Sequence, residues 1–389
     1  MKAIRFRSHS RSDDCSPFIE VEVPRPVPSP HDLLVSVKAV SVNPVDTKVR
    51  SGVVPVPDTV DVLGWDAAGT VVAVGTNVQL FRPGQDVFYA GTFTRSGANV
   101  DLHLVDERMV GFKPSSLSFA QAAALPLTSL TAWQLLFDRL AVPIGKPVNA
   151  GSLLVVGGAG GVGSILIQLA RRLTGLTVIA TASRPETSDW CKQMGAHHVI
   201  DHTRHMPQQI AGLSVPPVSY VASLTHTAKH MSALVDIVAP HGKIGVIDDH
   251  DQLDAVPLKS KSISLHWEMV FTRAFYETAD LIGQHQILNE VAALVDAGIL
   301  RSTLTRCLTP FSPLKLMEAH RLVESGAMIG KVVMSRDDEP AANSTSPCKA
   351  SSAPFSTGSN ALENTAIAPI PTPPHRDCRL RSERGPAPG

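Results

Sequence analysis

The sequence predicts an α/β protein in which a β-rich domain is joined to a domain with a doubly wound parallel sheet. Three observations predict this class. Short β-prone runs separated by Pro and Gly fill residues 1–114, whereas apolar runs alternate with amphipathic helical stretches over residues 152–298. A glycine-rich segment at residues 157–163 joins the first of these apolar runs to the first helical stretch. With 389 residues, the chain is long enough to form two hydrophobic cores.

The β-rich domain is expected to contain strands at residues 2–7, 18–23, 32–42, 70–74 and 86–89. An Ala- and Leu-rich helix is expected at residues 119–140, with a kink or break at Pro126, because proline lacks the N–H that a helix requires. Beyond residue 300 we expect a return to β character, a helix at 314–325 and a strand at 331–335. These last elements are expected to rejoin the first domain, which we therefore assign to residues 1–125 and 299–335.

The second domain, assigned to residues 126–298, is expected to contain strands at 153–156, 177–182, 198–201, 219–223 and 243–247. These runs are mostly apolar or β-branched, which is typical of strands buried on both faces of a parallel sheet. Between the first two of them, Val162, Leu166 and Leu169 recur on one helical face. Residues 336–389 are rich in Pro, Ser, Ala and Thr, and we expect them to form a disordered tail.

The composition excludes several classes of partner. The 35 basic and 35 acidic residues balance, so no net charge draws the chain to nucleic acid or to an anionic membrane. No apolar run approaches the roughly 20 residues of a membrane span, and the first 16 residues contain no apolar signal-peptide region. We therefore expect a cytoplasmic protein with a small-molecule partner. The five cysteines lack C-x-x-C spacing, which argues against a disulfide framework and against a cysteine zinc site.

The glycine-rich segment is the most informative motif. Gly158, Gly160 and Gly163 fit the pattern G-x-G-x-x-G, in which the first glycine permits a tight turn, the second admits a diphosphate and the third allows close packing. The helix that follows directs its first N–H groups toward the anion. Because a buried strand precedes the motif and a helix follows it, we predict that a dinucleotide binds at Gly158, Ala159, Gly160, Gly161, Val162 and Gly163.

The end of the second strand of this domain indicates which dinucleotide binds. An acidic residue there would bond the ribose hydroxyls of NAD, but the chain continues with Ser183 and Arg184 instead. A hydroxyl and a guanidinium suit the 2′-phosphate of NADPH, since Arg forms paired, charge-assisted bonds to phosphate. We therefore predict NADPH as the cofactor, with Ser183 and Arg184 among its ligands; a solvated loop arginine is the alternative.

Six segments together resemble the medium-chain dehydrogenase/reductase superfamily, in particular its quinone oxidoreductase branch and the zinc-type alcohol dehydrogenase-like proteins. They are residues 39–46 (AVSVNPVD), 63–70 (LGWDAAGT), 82–87 (RPGQDV), 124–133 (ALPLTSLTAW), the glycine-rich segment, and 330–333 (GKVV). The resemblance spans residues 1–335. It implies that the β domain is GroES-like, that the second domain is a Rossmann domain, that the active site lies between them, and that the chain forms a homodimer.

The zinc ligands of that superfamily are missing from the expected places. Zinc-containing members have a cysteine where this chain has Asn43, a Gly-His-Glu where it has residues 64–66, and another cysteine near Leu127. Zinc requires thiolate, imidazole or carboxylate ligands, and the first two types are absent there. Four histidines cluster around the third strand, but a strand and its following loop give them no common face, so we predict no metal site at His197, His198, His202 and His205.

The resemblance also assigns the remaining site residues. It implies that Asn43, Asp46 and Tyr89 line the substrate side, that Thr128 and Ile247 lie near the nicotinamide, and that Lys331 belongs to the cofactor site. Asp46 has a structural alternative, in which it caps or braces the β domain. The predicted function is zinc-independent hydride transfer from NADPH to a quinone or an α,β-unsaturated carbonyl compound. The alternatives are a zinc-type alcohol dehydrogenase with unorthodox ligands and a non-catalytic NADPH-binding protein.

Overall fold

The Pro- and Gly-punctuated N-terminal half forms short strands in the structure, a computed structural model that describes residues 1–6 and 17–336. The predicted tail therefore lies outside the described residues, apart from Arg336. The N-terminal elements are β1 (Lys2–Phe6), β2 (Phe18–Glu22), β3 (Asp32–Ser41), α1 (Pro44–Arg50), β4 (Ala67–Val74), β5 (Asp86–Tyr89), β6 (Leu102–Asp106), β7 (Val110–Phe112), α2 (Phe119–Ala123) and α3 (Pro126–Trp133).

The predicted helix at residues 119–140 is interrupted where proline requires it. Ser118 caps α2, where its hydroxyl accepts a hydrogen bond from the Gln121 N–H. Pro126 then occupies the first position of α3, where a missing N–H is tolerated. A π-helical segment, Gln134–Arg139, continues α3. The interruption lets a new helix, α3, begin at Pro126, and its first residues contact the site described below.

The second part of the chain alternates strands and helices, as expected for a doubly wound sheet. Its elements are β8 (Ser152–Val156), α4 (Gly161–Leu173), β9 (Thr177–Thr181), α5 (Pro185–Met194), β10 (His198–Ile200), α6 (Met206–Ala211), β11 (Val218–Ser223), α7 (Thr227–Ile237), β12 (Val238–Val246), β13 (Ser264–Trp267), α8 (Thr272–Phe275) and α9 (Gly283–Asp296). The six strands are parallel in the order β10-β9-β8-β11-β12-β13, so the strand order reverses between β8 and β11. Dinucleotides bind at such a reversal, beyond the carboxyl ends of the strands.

The last elements of the described chain return to the N-terminal sheet. They are β14 (Leu304–Leu308), α10 (Pro313–Glu324) and β15 (Lys331–Ser335). β15 pairs antiparallel with β3, placing Val333 opposite Ser41, and the sheet runs β14-β15-β3-β4-β5-β7 with β6 also paired to β3. The chain segment that follows β3 therefore lies beside the first residues of β15.

One apolar core runs through both lobes, the N-terminal lobe that contains the sheet of β3 and the nucleotide lobe that contains the sheet of β8. It contains Trp65 and Phe88 from the N-terminal lobe together with Leu130, Leu153 and Ile165 from the nucleotide lobe, all of them buried. Since close-packed interiors deform little, this core fixes the glycine-rich segment relative to the end of β3. Among residues 1–6 and 17–336 the longest helix, α9, has 14 residues, and none of the helices has the length and apolarity of a membrane span.

Candidate active site

The glycine-rich segment forms a tight turn between β8 and α4. Gly157 has a φ of +82°, a left-handed conformation that favours glycine. The turn therefore depends on Gly157, and the prediction that Gly158 serves this purpose is wrong. Gly158 is needed for packing instead, because a Cβ there would lie 2.9 Å from the Cβ of Ala180 in β9. Thr181 supports the turn, since its Oγ1 accepts a hydrogen bond of 3.0 Å from the Gly157 N–H.

The residues that follow the turn fit a diphosphate. A Cβ on Gly160 would meet nothing nearer than a backbone oxygen at 3.6 Å, so there is open space beside its Cα. Gly161, Val162 and Gly163 begin α4, and their N–H groups have no acceptor within the helix. Gly163 lets α4 approach the turn, because a Cβ there would lie 2.5 Å from the Gly157 oxygen. The open space and the unpaired helix donors are what an anionic group needs.

Ser183 and Arg184 follow β9, as predicted, at the same edge of the sheet. Ser183 is exposed, and Arg184 is half-buried. The Arg184 guanidinium donates through Nη2 to the Ala327 carbonyl at 2.8 Å, and its Nε lies 3.3 Å from the Glu186 carboxylate. The guanidinium is therefore held near the turn by weak, exchangeable contacts. Glu186 competes with any phosphate for this cation.

A buried polar cluster lies where β3, β4, α3 and β15 begin or end. Asn43 lies two residues beyond the end of β3, at the N-cap of α1, and its Nδ2 donates to the Asp66 Oδ2 at 3.1 Å. The Lys331 ammonium donates to Asn43 Oδ1 and lies 3.2 Å from the Asp66 Oδ2. Asp66 Oδ1 accepts the Leu127 N–H at 3.1 Å. Each of the three side chains is at most 4% exposed, so the cluster is shielded from water.

Asp46 braces this cluster from the side. Its Oδ2 accepts the Asn43 N–H at 2.8 Å and its Oδ1 accepts the Gly64 N–H at 2.9 Å. Gly64 has a φ of +105°, so the carboxylate stabilises a left-handed turn just before Asp66. Both oxygens of Asp46 are thus used by backbone donors. This geometry favours the bracing alternative over direct contact with a substrate.

Burial dominates the protonation of the cluster. It raises the pKa of Asp46 to about 7, although the backbone donors act in the opposite direction. It also raises the pKa of Asp66, and the Lys331 ammonium opposes that rise. The pKa of Lys331 is lowered by the same burial, opposed by Asp66. Since each partner stabilises the charged form of the other, we assign Asp66 and Lys331 as an ion pair at neutral pH.

Ile247 lies at the carboxyl edge of the nucleotide sheet, and Thr128 lies in α3 beside the start of α4. The Thr128 hydroxyl donates back to the Leu125 carbonyl at 3.2 Å, while its Cγ2 would be 3.2 Å from a Cβ on Gly161. Thr128 therefore presents its methyl group to the start of α4. Ile247 directly follows β12, and its N–H bonds the Ser223 carbonyl at 3.4 Å. The structure thus brings Asn43, Thr128 and Lys331 close to the glycine-rich segment.

Tyr89 is not brought to this cluster. It lies in β5, where successive side chains point to opposite faces, so that Phe88 enters the shared core and Tyr89 enters a second core. Its hydroxyl bonds His103 Nδ1 at 3.0 Å, and the two rings stack at 5.5 Å. Burial raises the pKa of Tyr89 and lowers that of His103 to about 4. A fully buried phenol with a neutral partner is placed for packing, and we leave it out of the proposed site.

Asp66 is the site residue that sequence reasoning missed. It lies among Trp65, Ala67 and Ala68, and a lone acid between buried apolar residues was the available signal. Charged side chains are seldom fully buried without a partner. Of the four histidines near β10, His197 accepts the Val178 N–H at its Nδ1. In the part of the chain that the structure describes, no three His, Cys, Asp or Glu side chains are grouped to hold a metal ion.

Comparisons with known proteins identify the family and the fold of the chain. Residues 29–132 match the alcohol dehydrogenase GroES-like domain family, and residues 194–334 match the zinc-binding dehydrogenase family. The chain is 39% identical over 336 residues to a zinc-type alcohol dehydrogenase-like protein of Staphylococcus aureus (strain MRSA252), covering 86% of this chain and 99% of that protein. The chain belongs to the medium-chain dehydrogenase/reductase superfamily.

Two solved structures of medium-chain dehydrogenase/reductase type have the same fold. A Rhizobium etli protein, provisionally described as a zinc-dependent alcohol dehydrogenase, is 52% identical with a TM-score of 0.82, covering 86% of this chain and 98% of that one. Escherichia coli quinone oxidoreductase, solved with NADPH, is 25% identical with a TM-score of 0.71, covering 86% and 100%. The predicted superfamily and its α/β fold, a GroES-like domain with a Rossmann domain, are confirmed. The chain is an oxidoreductase of this superfamily.

Proposed function

We propose that this medium-chain dehydrogenase/reductase transfers a hydride from NADPH to a quinone or an α,β-unsaturated carbonyl compound without zinc. The observation that carries the proposal is the segment Gly160–Gly161–Val162 at the start of α4, where open space meets unpaired N–H groups. The diphosphate of a dinucleotide fits this segment. The solved E. coli relative binds NADPH, which supports the same cofactor here.

The preference for NADPH rests on the residues beyond β9. No carboxylate ends that strand, and the exposed Ser183 with the half-buried Arg184 offers a hydroxyl and a guanidinium to a 2′-phosphate. Glu186 weakens this preference without removing it, because its contact with Arg184 is solvent-accessible and therefore worth little.

The proposal of zinc independence rests on side-chain chemistry. Asn43, Trp65 and Leu127 stand where the zinc-containing members carry cysteine, histidine and cysteine. An amide, an indole and an aliphatic chain supply no thiolate or imidazole. Asp66 offers a carboxylate, but Lys331 already neutralises it. The names of several relatives mention zinc. For this chain we propose that the residue types exclude zinc binding through cysteine and histidine ligands at these positions.

The chain's residues would act mainly by binding, orienting and excluding water. Bound NADPH would supply the hydride. The first N–H groups of α4 would hold the diphosphate, and the Thr128 methyl group would line the cofactor site near Gly161. The buried cluster around Asn43 would hold Thr128 in place and exclude water from its inner side. Quinones and enones suit such a site, since hydride addition needs no metal-bound alkoxide and the proton can come from water.

The proposal also includes a homodimer and a cytoplasmic location. In the described chain β13 is an edge strand of the nucleotide sheet, so its outer side is available to pair with a second copy. The half-exposed Trp267 and the exposed Tyr276 lie nearby and add apolar surface, which also favours a homodimer. A cytoplasmic location is favoured by the composition set out above.

The deciding experiment follows NADPH oxidation at the nicotinamide absorbance with a quinone and with an enone, each with and without a chelator. Chelator-insensitive turnover is the expected result, and the faster substrate names the class. If the purified protein contains stoichiometric zinc, and the chelator removes both the zinc and the activity, the alcohol dehydrogenase alternative is supported instead. NADPH binding without turnover of any quinone or enone would support a non-catalytic binding protein.

A further inference from the structure

The Lys331 ammonium is completely engaged inside the protein. It lies 3.2 Å from the Val42 carbonyl oxygen and 3.2 Å from Asp66 Oδ2, and it also donates to Asn43 Oδ1. A lysine ammonium has three N–H donors, and here three oxygens surround it. The side chain is 4% exposed. No donor is left for a cofactor phosphate or a substrate carbonyl in this arrangement.

This one cation connects segments that are distant in the sequence. Asn43 ends the short connection from β3 to α1, and it is 288 residues away from Lys331. Asp66 directly precedes β4 and, through the Leu127 N–H, also fixes the start of α3. The aliphatic stem of Lys331 passes the start of α4, where its Cδ would lie 2.9 Å from a Cβ on Gly161. The ion pair therefore joins both lobes beside the proposed cofactor.

We propose that Lys331 is the resident cation of this site, a positioning residue that connects Asn43, Asp66 and, through Asp66, the start of α3. The inference rests on the proposed function and differs from the sequence-based assignment of Lys331 to the cofactor. The three segments it ties, at residues 43, 66 and 127, are those whose counterparts the resemblance matched to a zinc site. Thr128 follows immediately, so the tie sets the distance between that residue and the glycine-rich segment.

A double-mutant cycle tests the pairing on cofactor-free protein. Lys331→Met and Asp66→Asn should each lower the Tm, because each leaves a buried charge without its partner. The double variant should melt above Lys331→Met, because no unpaired charge remains. Lys243→Met provides the matched control, since Lys243 donates to the Leu140 carbonyl and does not contact the cluster. Combining it with Asp66→Asn should give additive changes in Tm.

Chemical rescue tests the cation itself. Lys331→Ala removes three carbons and the ammonium, which n-propylamine supplies in its protonated form. We expect n-propylamine to raise the Tm of Lys331→Ala without raising that of the wild type, and n-propanol, which lacks the charge, to have no such effect. If Lys331→Ala does not fold, the double-mutant cycle still decides the question.

Kinetics separate positioning from direct binding. A misplaced Thr128 should lower kcat in Lys331→Met on the order of 10- to 100-fold, while the NADPH Kd changes little, because the start of α4 binds through backbone N–H groups. Asp66→Asn in the Lys331→Met background should recover part of the kcat. A loss of NADPH affinity that Asp66→Asn does not restore, together with no effect of n-propylamine, would overturn the proposal and make Lys331 a cofactor ligand. The Tm measurements need no turnover, so their outcome is independent of the proposed reductase activity.

Discussion

Replacement of Arg184 by alanine tests the choice of cofactor. A charge-assisted hydrogen bond to phosphate contributes about 1.5 to 3 kcal/mol. To bind the phosphate, the guanidinium must release the Ala327 carbonyl at 2.8 Å and move from Glu186 at 3.3 Å. The Arg184 side chain is 42% exposed, so these contacts are worth at most about 1 kcal/mol. The net contribution is therefore near the lower end of the range, about 1.5 kcal/mol.

Arg184→Ala should accordingly raise the NADPH Kd about tenfold and leave the NADH Kd unchanged. Titration of nicotinamide fluorescence with each cofactor measures both constants on the same protein. Glu186→Gln is the matched control: removing the competing carboxylate should tighten NADPH binding by up to about fivefold. Equal losses for NADPH and NADH in Arg184→Ala, or no loss for either, would refute the assignment of Arg184 to the 2′-phosphate.

Four other substitutions test the site and its surroundings. Gly160→Ala should keep the wild-type Tm, since a Cβ there meets nothing nearer than 3.6 Å, yet lose NADPH binding in a titration because the methyl group takes the place of the diphosphate. Gly163→Ala should lower the Tm, because its Cβ would lie 2.5 Å from a backbone oxygen; an unchanged Tm would show that α4 can move away. Burial raises the folded-state pKa of Asp46 to about 7, so its contribution to stability is present below about pH 4 and is lost as the pH rises toward 7. Asp46→Asn should flatten this part of the pH dependence in urea titrations, and parallel curves would contradict the assignment. Tyr89→Phe should lower the free energy of unfolding by roughly 1 kcal/mol, because His103 loses its partner, with kcat unchanged; a large fall in kcat at equal stability would return Tyr89 to the active site.

The nucleotide domain was largely predictable because strands buried on both faces are recognisable as apolar runs. β8 and β9 agree with the predicted strands to within one residue at each end. β12 begins at Val238, five residues before the predicted start at 243, because Pro240, His241 and Gly242 resemble a turn in sequence. β13 was missed, since the sequence of Ser264–Trp267 lacks a continuous apolar run. Edge strands carry less of the burial signal on which such predictions depend.

The site was predictable only where a local motif specifies it. The glycine-rich segment and Arg184 were found because strand, turn and helix are contiguous there. The pairing of Asp66 with Lys331 joins residues far apart in sequence, and no local pattern reports such a contact. The resemblance assigned Tyr89 to the substrate side, and alternation along β5 shows that neighbouring side chains face opposite ways, but not which of them faces the site. That choice depends on how the whole sheet packs.

The pairing of β3 with β15 bears on how the protein is made. The Ser41 hydroxyl donates to the Val332 carbonyl, which is 291 residues later in the chain. At a synthesis rate of roughly 5 to 20 residues per second, the ribosome needs roughly 15 to 60 seconds to cover that distance. Until β15 is made, the end of β3 has no strand to pair with at residues 39–41, and Asp66 lacks its partner ammonium. Because an unpaired strand edge can pair with another chain, we expect the newly made lobe to be most prone to self-association before the last strand emerges.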